Sequence, residues 1–182
     1  MDAAVTRRFG GEDGTTLIEV VVASAILVTL MAGLMSLAGL AISTTENQGH
    51  LAARTTEYAQ DKMEQLLSLQ FSDSVTDTRT FPASASGGTG LVVGGSSNPD
   101  APAAGYVDYL DDAGNLCGTT GAGCAAPSGT TAPAGWFYKR VWAISSPATN
   151  LKQITVSAAT ARGFGGGNKA VSYLAVLKSY PF

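Results

Sequence analysis

Between Leu17 and Ile42 the chain is apolar or small at nearly every position, and Glu19 is the only ionisable residue in that run. As a helix these positions extend roughly 39 Å, more than the ~30 Å hydrocarbon layer of a bilayer. Gly33, Gly39, Ala23, Ser24, Ala25, Ala32, Ser36 and Ala38 leave room for close approach of other helices. Beyond the apolar run the period changes. From Leu51 to Phe71 the residues Ala52, Thr55, Thr56, Ala59, Met63, Leu66, Leu67 and Phe71 recur at spacings of three and four, with Glu57, Asp61, Glu64 and Gln65 mostly opposite. No proline intervenes before Pro82, although 44–49 is a place for local loosening. The pattern predicts one helix over about 15–70, half apolar all round (15–43) and half amphipathic (44–72).

A different texture follows. Residues 82–135 are rich in Gly, Ala, Ser and Thr and contain five of the seven prolines, which predicts a loop region with short strands at Leu91–Val93 and Tyr106–Leu110. A turn is expected at 111–115. Residues 136–180 then alternate as strands do: Trp136–Ser145, with Trp136, Tyr138, Arg140, Trp142 and Ile144 on one side, then Leu151–Ala161 and Ala170–Ser179, separated by 146–150 and 162–169. That is a three-stranded antiparallel meander, one face of which would cover the amphipathic helix in an α+β domain.

Charge adds an asymmetry. The net charge of -3 is too small to define a polyanionic or polycationic partner, but its distribution is uneven. Glu46, Glu57, Asp61, Glu64, Asp73 and Asp77 dominate 46–78, and no acid follows Asp112, whereas Lys139, Arg140, Lys152, Arg162, Lys169 and Lys178 do. An acidic helix and loop packed near a basic sheet, within one subunit or between neighbours, accounts for this. A nucleic-acid face on the basic sheet is the weaker reading.

Candidate chemistry is sparse. Cys117 and Cys124 lie seven apart in a Gly/Thr loop beyond the apolar helix, which favours a disulfide, with free thiols as the alternative. Two cysteines and His50 are too few for a structural zinc site. Asp108, Asp111 and Asp112 lack the alternating spacing of a calcium loop. The stretch 163–169 has Asn168 where a phosphate loop needs glycine and Ala170 where it needs Ser or Thr, so it reads as a hairpin loop. No nucleophile, base and orienting group come together, and no cofactor is expected. The expectation is a protein that is not an enzyme.

The N-terminus inverts the order of a secretory signal. A small residue, Gly14, stands before the apolar segment, so a cut there leaves the helix on the mature chain. Arg7 and Arg8 favour a cytoplasmic leader, modestly because Arg54 lies beyond the helix. The leader 1–14, Gly14, Thr15, Thr16-Leu17-Ile18-Glu19-Val20 and the long apolar helix together resemble the type IV pilins and the pseudopilins of type II secretion. The stretches 58–66, 138–144 and 151–156 look most like minor pilins of the PilV type. The resemblance covers the first sixty or so residues strongly, the C-terminal sheet moderately and the glycine-rich middle not at all.

The resemblance implies cleavage between Gly14 and Thr15 by a prepilin peptidase, N-methylation of Thr15, and assembly through Glu19 with other pilin subunits. Thr15 departs from the phenylalanine usual at that position. It further implies a bacterial inner-membrane protein, held in lipid before assembly with its N-terminus cytoplasmic and residues 44–182 periplasmic, that then enters a filament. The function implied is that of a minor pilin of a type IV pilus or its tip complex. A minor pseudopilin of type II secretion, or a DNA-uptake or adhesin subunit, is the alternative.

Overall fold

In the computed structural model, residues 16–80, 86–163 and 167–180 are described. The chain divides into two compact units between Ser43 and Thr44. A single helix, α1 (Leu17–Ser68), supplies the described part of the first unit after Thr16 and the opening of the second. It is unbroken through 44–49, with His50 exposed on it. It ends at Ser68, four residues before the expected limit of the amphipathic half, and 71–72 form a turn.

The second unit is α+β. Its strands are β1 (Gly94–Gly95), β2 (Val107–Leu110), β3 (Tyr138–Ala148), β4 (Leu151–Thr160) and β5 (Val171–Ser179), all antiparallel in one sheet. The expected three-stranded meander is β3–β4–β5. The sheet is larger than that because 82–135, expected as a loop region, contributes β1 and β2 along the other edge of β3. Leu91–Val93 is not a strand: Leu91 is buried in a turn, its N–H bonded to Asp73 O at 2.8 Å, and pairing begins only at Gly94. Glycine is required there. A Cβ on Gly95 (φ 86°) would stand 2.2 Å from Trp142 O, so only a bare backbone reaches β3 beneath Tyr106. At its other end β3 runs through Pro147, past a register shift between Ser145 and Ala148, which shortens the expected 146–150 turn.

Two clusters cover the sheet. On the inner face Tyr58, Ala59, Met63 and Leu66 of α1 pack on Tyr138, Trp142, Ile144, Ile154, Val156 and Ala158, joined by Leu91, Tyr106 and Leu110. The buried stripe of α1 is wider than its apolar positions, because Lys62 and Gln65 are buried in it as well. Thr55 and Thr56 pin the helix to β5 through Ser172 Oγ, at 3.0 and 2.9 Å. On the outer face Val107, Tyr109 and Val141 lie under the loop closed by Cys117 and Cys124, which are disulfide-bonded. Tyr109 donates its hydroxyl to Thr130 O at 2.6 Å, and Trp136 packs edge-on against its ring.

Candidate functional site

Three features carry the chemistry of the chain: the exposed apolar part of α1, a buried ion cluster where α1 meets the sheet, and two ammonium groups at the helix end.

In the first unit every residue from Leu17 to Ile42 is exposed, including large side chains all round the helix such as Ile18, Val22, Leu30, Leu34 and Ile42. A helix apolar on all sides needs lipid or other helices as its solvent. This one is long and apolar enough to cross a membrane once. Its hydroxyls are suited to that setting. Ser24 Oγ donates to Val20 O (2.6 Å), Thr29 Oγ1 to Ile26 O (2.8 Å) and Ser36 Oγ to Ala32 O (3.1 Å), so each is satisfied within the helix. Glu19 lies in the first turn, where the free N–H groups favour a negative charge. Thr16 O accepts from the backbone N–H of Glu19 at 3.0 Å and opens the helix. Gly14 and Thr15 lie outside the described residues.

The ion cluster is built by register. Asp108 of β2 stands opposite Arg140 of β3, and the guanidinium donates to both carboxylate oxygens, at 2.9 and 3.0 Å. Lys62 Nζ, from α1, reaches Asp108 Oδ2 at 2.6 Å, donates to Thr78 O, and sits 4.4 Å from the centre of the Trp142 ring. Arg140 also donates to the half-exposed Asp61 at 3.0 Å. Two cations and two carboxylates thus close a neutral set joining α1, β2 and β3.

Titration follows from these contacts. Burial outweighs Asp108 and pulls Lys62 down to about 8. For Asp108 burial favours the acid, but Arg140 and Lys62 overcome it and hold the carboxyl below its ordinary value. Burial likewise opposes the charge on Arg140, and Asp108 and Asp61 reverse that and raise it.

At the helix end α1 has no base of its own in the last turn. The sheet supplies two. Lys178 Nζ donates to Leu67 O at 2.6 Å and to Leu69 O, and Lys152 Nζ to Phe71 O and Leu91 O at 2.6 and 2.7 Å. Leu67 O is an orphan carbonyl of the last turn of α1, and Leu69 O and Phe71 O lie just beyond it, at the negative dipole end where cations belong; Leu91 O comes from the turn before β1. Lys152 and Lys178 are direct cross-strand partners, an unfavourable apposition of like charge that the carbonyls offset. Burial lowers both ammonium groups, and Lys152 lowers Lys178 further.

Of the residues singled out in the sequence, Glu19 and the cysteine pair are far apart in the chain and belong to different units. Asp111, weighed as a calcium ligand, instead accepts from the backbone N–H of Asn115 (2.7 Å) and Gly123 (2.9 Å) and orders the disulfide loop. The Lys62–Asp108–Arg140 cluster does not follow from the local sequence pattern. Its signal there is partial: Arg140 occupies an inward position of β3, and Asp108 sits between Val107 and Tyr109.

The fold and its exposed helix define an α+β protein with one segment able to span a membrane. No family model, curated protein or solved structure matches the chain.

Proposed function

We propose that the chain is a minor pilin, a non-enzymatic subunit built into a type IV pilus or its initiating tip complex after its leader is removed. The observation that carries this reading is Glu19, the sole ionisable residue of an exposed 17–42 apolar helix, five positions beyond Gly14. A cut between Gly14 and Thr15 creates an amine at Thr15. In a staggered bundle of such helices that amine lies beside Glu19 of a neighbouring subunit, and each charge relieves the isolation of the other; the gain is mainly in register. The helix-on-sheet layout supports the same reading, since a covered sheet leaves the apolar helix half free for neighbours.

A nucleic-acid role has less support. Three of the six C-terminal cations, Arg140, Lys152 and Lys178, are engaged inside the subunit.

Mass spectrometry of filaments sheared from cells making the full chain tests the proposal. A mature N-terminus at Thr15 in the filament fraction is expected. Retention of residues 1–14, or absence from that fraction, would overturn it.

A further inference from the structure

We infer that β5 is a docking edge for an extended strand from a different subunit of the same filament; the choice of partner rests on the filament reading above. Among the described residues β5 pairs only with β4. Its hydrogen-bonding phase is fixed at both ends: Ala170 O accepts from Thr160 N at 3.1 Å, and Tyr180 N donates to Asn150 O at 2.9 Å. Even-numbered residues therefore point their backbone groups at β4. The N–H and C=O of Val171, Tyr173, Ala175, Leu177 and Ser179 point the other way, and no strand among the described residues pairs with them.

The same five residues turn their side chains to the outer face, with Val171 41%, Tyr173 61% and Leu177 61% exposed. No proline or inward-pointing unpaired charge blunts this nine-residue edge. Lys178, its one charge, is held by the helix carbonyls. Main-chain donors and acceptors at strand spacing select an extended polypeptide, and the outer side chains select apolar residues at alternate positions.

Charge orients the partner. β4 and β5 carry no acid, and the exposed Lys169 stands just before β5, 3.5 Å from the exposed Asp100 and in the same recess as Lys139. The partner strand is accordingly apolar with a carboxylate at the end that meets Lys169. A recess of about 260 Å³ between Gln48, Leu51 and Ala52 of α1 and 168–170 receives one of its inward side chains.

The test places the photo-reactive residue benzoylphenylalanine at Tyr173 of the full chain in its own cells and sequences the peptide cross-linked in filaments. An extended, apolar, acid-ended segment of another filament subunit is expected. Ala175→Pro removes one outward N–H without touching the β4 pairing, and should cut the cross-link by at least about tenfold with the Cys117–Cys124 disulfide intact. Leu177→Lys, at an exposed side chain, should do the same if the proline variant fails to accumulate. A cross-link to a second copy of this chain, to lipid, or undiminished in these variants would overturn the inference. If the chain is in filaments and Tyr173 captures none of their subunits, the docking edge falls while the filament reading stands. Absence from filaments removes both.

Discussion

Asp108 and Arg140 face each other across two adjacent strands, joined by hydrogen bonds of 2.9 and 3.0 Å, and both are almost wholly buried. Their pairing is not closed, because Lys62 of the helix shares the same carboxylate. Asp108 is therefore the hub. Asp108→Asn leaves buried Lys62 without its carboxylate and Arg140 with only the half-exposed Asp61, and should cost roughly 3–5 kcal/mol, the range for breaking a buried ion pair. Arg140→Met leaves Asp108 neutralised by Lys62 and should cost less. Denaturant unfolding of the full chain in micelles, followed by near-UV circular dichroism, gives the order; the reverse order would refute the hub.

Lys62 also gives the chain a pH signature. Its folded value, about 8, lies below the ~10.4 of an unfolded lysine. Between these limits the unfolded state binds more protons, so the lysine's contribution rises with pH. Wild type should gain on Lys62→Met by on the order of 1 kcal/mol per pH unit from about 8 to about 10. Asp108 acts at the other extreme: its depressed value adds stability above the ordinary carboxyl range that is lost as pH falls through its folded value. A flat difference between wild type and Lys62→Met across the alkaline window would contradict the burial of this group.

The disulfide closes a loop of sequence separation seven over Val107, Tyr109 and Val141. Replacing Cys117 and Cys124 by serine should cost roughly 2–3 kcal/mol on the loop-entropy estimate. Hydrogen exchange should rise first at Cys117 and Gly118, whose N–H groups bond to Tyr109 O and Cys124 O. Unchanged exchange at these amides would show that the loop is held without the bridge.

On the proposed minor-pilin reading, Glu19→Ala should leave membrane insertion and leader cleavage intact, because that reading assigns both to the apolar run and to Gly14. Recovery of the variant with filament components should fall sharply. Normal recovery would remove the pairing of Glu19 with a neighbour's amine.

Much of this architecture was legible in the chain. The helix expected over 15–70 is seen at Leu17–Ser68, and three strands fall close to their expected places, because long periodic segments leave little choice of structure. What escaped was non-local. Gly94 and Gly95 fall in the expected loop region 82–135, yet the missing side chain of Gly95 is what lets β1 reach β3. Gln65 is placed opposite the apolar stripe by its spacing yet is buried beside Lys62, and only the fold brings Asp108 to that lysine. Pro147 read as a turn, but a register shift accommodates it in β3. In each case a distant partner reversed a sound local preference.

In the proposed passage from membrane to filament, the internally bonded hydroxyls of Ser24, Thr29 and Ser36 bear on how the helix would change surroundings. A segment with no unsatisfied hydroxyl partitions almost equally well into acyl chains or among the side chains of like helices, so its transfer between the two meets little thermodynamic resistance. The carboxylate near its start is the exception. It is poorly solvated by hydrocarbon and well solvated by a cation, and it biases that otherwise indifferent exchange in one direction, toward whichever surroundings offer the cation.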